Sequence, residues 1–308
     1  MKYLVTGGCG FVGSHLVEEL VRNKHEVIAI DDLSHGKLSN LDSSLLDDKV
    51  KFINKDVAKP LDDIPKIDGI FHLACFHRAE SMINPLKDIQ INCKGMINAL
   101  NLARKYNAKI CFTSNSGLVG DIPLDENHAD ENWPYKPKTV YDSDKMVSEF
   151  YCDIWNKEFN VDYVICRFSQ IYGMKQNPNK NYKPLIVTFV KQMLRDEQPI
   201  IFGDGKQTRD LLFVKDAVNG IITAMKLGKN TKFHISSDID YSVNQIYEIC
   251  SKKLGFNKKP IHEKPRIGDI RKTKFSNKKA FDVLRWKPQF TLEQGIDRVI
   301  EYERRKLS

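Results

Sequence analysis

The chain has no long apolar run, no cysteines at metal-ligand spacing and no low-complexity tract, and each absence removes a class of protein. No stretch approaches the roughly 18 uncharged apolar residues that a membrane span needs. Met1 to Thr6 holds too short an apolar run for the core of a signal peptide, so a cytoplasmic protein without a membrane partner is expected. The seven cysteines (Cys9, Cys75, Cys93, Cys111, Cys152, Cys166, Cys250) are odd in number, scattered and free of C-x-x-C spacing. They read as small packing residues of a reducing compartment, Cys75 included. His262 and Glu263 also lack ligand spacing, so no metal is expected. Lysines and arginines exceed acidic residues by a net charge of +8, yet their clusters, such as Lys252 with Lys253 and Lys258 with Lys259, contain no interleaved aromatics. That argues against nucleic acid and for a small anionic substrate such as a pyrophosphate-bearing metabolite.

With 308 residues, 41% of them hydrophobic, the chain can bury a core large enough for two lobes. In the first half, nearly continuous apolar runs at Tyr3 to Thr6, Glu26 to Ile30, Lys51 to Ile53, Gly69 to Leu73, Lys109 to Thr113 and Tyr163 to Arg167 predict strands buried on both faces. Between them Phe11 to Arg22, Pro85 to Tyr106 and Tyr141 to Phe159 have helical period. The repeated β-α unit predicts an α/β fold, a Rossmann-type doubly wound parallel sheet, with a smaller mixed α/β C-terminal substrate domain. The expected division is a cofactor domain at 1–173, rejoined by 211–240, and a substrate domain from 174–210 and 241–308. Helices are predicted there at Leu185 to Arg195, Val243 to Leu254 and Leu292 to Arg304. There is no internal repeat.

Thr6-Gly7-Gly8-Cys9-Gly10-Phe11-Val12-Gly13 follows the first strand directly and opens a helix. Glycines let backbone come close to a pyrophosphate, which amides at the helix start then hold. Alone, such a cluster is equally a plain turn. The second strand, however, ends at Asp31, where a carboxylate would accept hydrogen bonds from the adenosine ribose hydroxyls and repel a 2′-phosphate, so NAD is expected rather than NADP. Asp32 beside it reads as a turn residue.

Tyr141 and Lys145 are four apart at the start of a helix, which puts both on one face. An adjacent ammonium is expected to lower the phenol's pKa toward that of a general base, able to take a proton from a sugar hydroxyl while hydride leaves the same carbon for a nicotinamide.

These motifs together resemble the extended short-chain dehydrogenases of the NAD-dependent epimerase/dehydratase family, closest to UDP-glucose 4-epimerases. The likeness also rests on Asp56-Val57, Phe71-His72-Leu73-Ala74, Asn92-x-x-Gly95, Arg167-x-x-x-x-Tyr172-Gly173, the run Phe202 to Asp210, and Pro265-Arg266-x-Gly268-Asp269-x-Arg271. It implies an NAD site of Gly7, Gly10, Phe11, Val12, Gly13, Asp31, Asp32, Asp56, Val57, Leu73, Ala74, Asn92, Tyr141 and Lys145. It implies a nucleotide-diphosphate sugar held by Gln170, Arg209, Arg266 and Asp269, the arginines facing phosphate, and a homodimer formed by the helices at Pro85 to Tyr106 and Tyr141 to Phe159.

The sequence departs from the family in three places. Asn115 stands where the family has its catalytic Ser or Thr, leaving the role to the amide, or to Ser116 or Ser114. Val119 and Gln170 replace a usual tyrosine and asparagine. Ser116 and Gly117 occupy the places of the acidic pair of the 4,6-dehydratases, and the glutamate of the sugar-acid decarboxylases is also missing from this loop; both reactions need such acids. His77 and Arg78 read as loop residues near the substrate. The expected activity is C4 epimerisation of a nucleotide sugar through a transient 4-keto sugar. The alternatives are a dehydrogenase or reductase acting on that carbon, or a non-catalytic NAD(H)-binding regulator.

Overall fold

The computed structural model describes residues 1–45, 49–123, 128–178, 182–265 and 271–307. In chain order the strands and helices are β1 (Lys2–Thr6), α1 (Phe11–Arg22), β2 (Glu26–Asp31), β3 (Val50–Asn54), β4 (Gly69–His72), α2 (Arg78–Ser81), α3 (Pro85–Ile89), α4 (Gly95–Tyr106), β5 (Lys109–Asn115), α5 (Val140–Phe159), β6 (Tyr163–Phe168) and β7 (Gln170–Tyr172). They continue with α6 (Leu185–Leu194), β8 (Ile200–Phe202), β9 (Thr208–Phe213), α7 (Val214–Leu227), β10 (Thr231–Ile235), β11 (Asp240–Ser242), α8 (Val243–Leu254), β12 (Ile261–Glu263), α9 (Lys278–Leu284) and α10 (Leu292–Arg305).

Seven strands form one parallel sheet in the order β10-β6-β5-β4-β1-β2-β3. Successive residues of each strand point to opposite faces. Leu4, Ile28, Ile70 and Ile110 therefore pack against Leu100 and Ala103 of α4 on one face, while Val5, Ala29, Phe71 and Cys111 meet Leu16 of α1 and Ile221 of α7 on the other. Two buried faces explain the continuous apolar strands. The strand order reverses between β1 and β4, and in such sheets a crevice opens there at the strands' C-terminal ends. A third core, with Phe189 of α6, Ile246 of α8 and Ile296 of α10, sits over the three-stranded sheet β11-β9-β7.

Two expectations are corrected. The single helix predicted from Pro85 to Tyr106 is interrupted by a π turn at Gln90–Lys94 between α3 and α4. The turn carries an extra residue where Asn92 is drawn inward: its Oδ1 accepts the Phe76 amide at 3.0 Å and its Nδ2 donates to Asp88. The stretch from Leu211 also splits. β9 pairs with β7 and β11, whereas α7 and β10 belong to the large sheet.

Candidate active site

At the end of β1, Gly7 adopts φ +67°, and a Cβ there would lie 2.9 Å from the Ala74 nitrogen. A Cβ on Gly13 would fall 2.0 Å from the Gly7 carbonyl oxygen. Both positions therefore exclude a side chain. Thr6 Oγ1 accepts the Leu73 and Ala74 amides, each at 3.0 Å, and fixes the end of β4 beside the loop. Gly10 precedes α1 without a side-chain cap, and the first turn holds no acidic residue. Its amides are left to an anion, as a pyrophosphate requires.

A cleft of about 310 Å³ opens over this loop. Gly7, Gly10, Phe11, Val12, Gly13, Asp31, Asp32, Asp56, Val57, Leu73 and Ala74 line it together. Asp31 is held by the Cys9 amide at 3.0 Å and the Leu33 amide at 2.9 Å, and burial raises its pKa against those two donors. Asp32 accepts the Ser34 amide and hydroxyl, and Asp56 accepts the Ala58 amide, so each also shapes a turn. The glycine cradle and the uncapped helix fit a dinucleotide. Asn92 lies behind this wall, in contact through Phe76. The lining also includes Cys75, read from the sequence as packing, and His77, placed near the substrate, together with Lys175, Gln176 and Tyr182, which sequence reasoning missed. Only the first two had a signal, their place directly after the Phe71-His72-Leu73-Ala74 motif.

Tyr141 and Lys145 stand in the first turns of α5, whose Thr139 cap accepts the Asp142 amide. Neither Tyr141 nor Lys145 is among the residues lining the cleft, but Cys75, which does line it, is close enough to the Tyr141 phenol to act on its charge. Cys75 is exposed while the other six cysteines are buried, so its expected packing role is corrected. Lys145 is buried, donates to the Thr113 carbonyl at 2.9 Å and sits 5.6 Å from the Tyr141 ring centre. The expected lowering of the phenol's pKa is not found: burial drives it well above its ordinary value, Cys75 and Asp142 push the same way, and Arg78 opposes them. Spacing correctly places the ammonium near the ring, but desolvation outweighs that proximity.

Of the three candidates at the end of β5, Ser114 is committed elsewhere, its hydroxyl donating to Glu149 at 2.7 Å. Asn115 Nδ2 and Ser116 Oγ are both buried without a hydrogen-bond partner among the described residues. Buried donors are rarely left so, and an unpaired one points to a ligand role. Val119 is fully buried with Ile122, Ala129 and Phe275, an apolar role for that position.

Toward the second lobe, Gln170 begins β7 and pairs with Leu211 of β9, while Arg209, two residues earlier in β9, pairs with Tyr241 of β11 and donates from Nη1 to the Thr208 carbonyl at 2.8 Å. Arg266 and Asp269 lie outside the described residues. His77 and Arg78 are more than loop residues. Arg78 donates from Nε and Nη2 to the buried Asp142 carboxylate at 3.2 and 3.1 Å, and His77 caps α2 with its ring 4.2 Å from that of Tyr182. Tyr182 thus stands beside His77 in the lining of the cleft.

Behind Tyr141, its amide donates to Ser81 Oγ, which adjoins Asp88. Asp88 and Asp144 form a buried carboxyl pair. Burial, with each other's charge, raises Asp144 to about 6, and burial raises Asp88. Folded values above the unfolded carboxylate pKa of about 3.9 give stability that is complete below that pH and is lost as pH climbs through about 6. Asp144→Asn should abolish this loss, so its urea midpoint should gain on that of the unsubstituted protein between about pH 4 and 7. A gap independent of pH in a denaturation series contradicts the assignment.

Residues 3–236 match the NAD dependent epimerase/dehydratase family, and the chain belongs to that family. A Methanocaldococcus jannaschii protein carrying a provisional UDP-glucose 4-epimerase name is 37% identical, with 97% of each chain covered. UDP-glucuronic acid decarboxylase 1 of Xenopus tropicalis is 30% identical over 99% of this chain and 73% of its own length. The crystal structure of Thermotoga maritima UDP-glucose 4-epimerase with UDP-glucose superposes with a TM-score of 0.94, at 31% identity and complete coverage of both chains.

Proposed function

We propose that this protein is an NAD-dependent UDP-hexose 4-epimerase. The observation that carries the reading is the Tyr141 hydroxyl beside Cys75 at the dinucleotide cleft, in a loop context where Ser116 and Gly117 supply none of the carboxylates that dehydration or decarboxylation needs. Likeness along the whole chain to a 4-epimerase of known structure supports it. NAD, when bound by the glycine cradle and Asp31, would supply positive charge and an acceptor for the hydrogen removed with its electron pair from the sugar carbon. Tyr141 takes the hydroxyl proton at that carbon and returns it. Lys145, fixed on the Thr113 carbonyl, orients the cofactor side of the site. Asn115 Nδ2 donates to the sugar oxygen in place of a hydroxyl, with Ser116 adjacent. Gln170 and Arg209, with Arg266 and Asp269, hold the nucleotide diphosphate. In this reading the chain up to β6, rejoined by α7 and β10, forms the cofactor lobe, the rest, with β7 and β9, forms the substrate lobe, and the enzyme works in the cytoplasm.

Incubation with UDP-glucose, followed by NMR of the sugar carbons and absorbance in the NADH band, tests the reading. UDP-galactose without net NADH is expected. Accumulating NADH, or loss of a carboxyl from UDP-glucuronic acid, contradicts it. If the Asn115 amide is the donor, Asn115→Ala should lower kcat by about 10²–10³, while Asn115→Ser should stay within about tenfold of the original, since a hydroxyl also donates. An Ala variant as active as Ser overturns that role.

The reading includes a homodimer. Leu86 and Ile89 of α3 and Phe150 and Ile154 of α5 are exposed apolar residues on the helices expected to pair, and a second copy would cover them. Light scattering should give twice the 35.5 kDa chain mass, and Ile154→Asp should shift it to the monomer. A monomeric starting protein refutes the pairing.

A further inference from the structure

A second cleft, of about 650 Å³, opens between α1, α7 and α10. His15 of α1 forms part of its wall, 3% exposed. Its Nε2 lies 3.1 Å from the Met174 carbonyl oxygen, which only accepts, so Nε2 carries the ring proton. Burial lowers the imidazole's pKa to about 4, which keeps the ring neutral near pH 7. Nδ1 is therefore a bare lone pair, and among the described residues nothing donates to it. The Glu18 Oε2 atom stands 3.8 Å away and is an acceptor too. The buried Nδ1 thus faces a second, partly exposed acceptor with no donor between them, and a buried acceptor left without a donor costs free energy.

The other walls answer a different need. Lys215 has no ion-pair or hydrogen-bond partner among the described residues, whereas the arginines of the cleft pair with Glu19 and Glu301. The half-buried rings of Phe290 and Tyr302 give it apolar faces. A water would satisfy His15 but leave the ammonium unmatched. One ligand chemistry meets all three features: a hydroxyl to donate, a ring to lie on aromatic faces, and an anion for the lysine.

We propose that this cleft binds a small sugar phosphate, with one hydroxyl donating to His15 Nδ1, a neighbouring hydroxyl donating to Glu18, and the phosphate on Lys215. Glu18 also anchors Lys175, which lines both clefts, so the occupant contacts a residue of the dinucleotide site.

Titration calorimetry with glucose 1-phosphate on the intact enzyme tests this. Saturable binding to one site per chain is expected. Lys215→Met should weaken it at least about tenfold through loss of a charge-assisted contact. Glu18→Gln should weaken it similarly, because the new amide can itself donate to His15. Inorganic phosphate should bind more weakly and still depend on Lys215. Absence of saturable binding at millimolar glucose 1-phosphate overturns the proposal, and so does binding unchanged in both variants, which would place the ligand in the dinucleotide cleft instead.

Discussion

Tyr141→Phe is expected to lower turnover of a UDP-hexose by about 10²–10⁴-fold, the usual worth of a positioned general acid-base group. The ring survives the change and so does its packing at the start of α5; only the hydroxyl near Cys75 is removed. KM and the affinity for NAD should therefore move little, since glycine backbone and Asp31, not the phenol, form the cradle. Steady-state kinetics read the split directly. A variant within tenfold of the original kcat would place the base elsewhere.

The second large effect concerns stability. Glu149 Oε1 accepts from Ser114 at 2.7 Å and from Arg167 Nε at 2.9 Å, and Oε2 accepts from Tyr135 at 2.9 Å and from Arg167 Nη2 at 2.6 Å. Arg167 is wholly buried. Glu149→Ala would leave that guanidinium without its carboxylate inside the protein and is expected to cost about 3–5 kcal/mol in urea unfolding. Replacing Glu149 and Arg167 together by methionine should cost much less, because no charge is then stranded. Equal losses in the two variants would contradict this account of the network. The same carboxylate accepts the hydrogen bond of the Ser114 hydroxyl, so the network reaches the end of β5.

Much of this arrangement is legible in the sequence, for a physical reason. Strands buried on both faces must be apolar throughout, so β1, β2, β4, β5 and β6 announce themselves, and the crevice follows from their order. A glycine needed for close approach and a carboxylate at a strand end likewise leave one-dimensional marks. Contacts between side chains far apart in sequence leave none. Nothing in the spacing shows Cys75 near Tyr141, Tyr182 beside His77, or Ser114 turning toward Glu149. The π turn at Gln90–Lys94 was invisible because one extra residue hardly disturbs a helical apolar pattern. The phenol's acidity was misread because residue spacing reports proximity and not desolvation.

The most direct test of the central claim, that Tyr141 takes the proton of the sugar's C4 hydroxyl while NAD, when bound, would accept the hydrogen on C4 with its electron pair and return it, uses UDP-glucose deuterated at C4. The account predicts UDP-galactose with deuterium retained at C4 and no net NADH. Loss of the label to solvent, or NADH released in step with product, would contradict it.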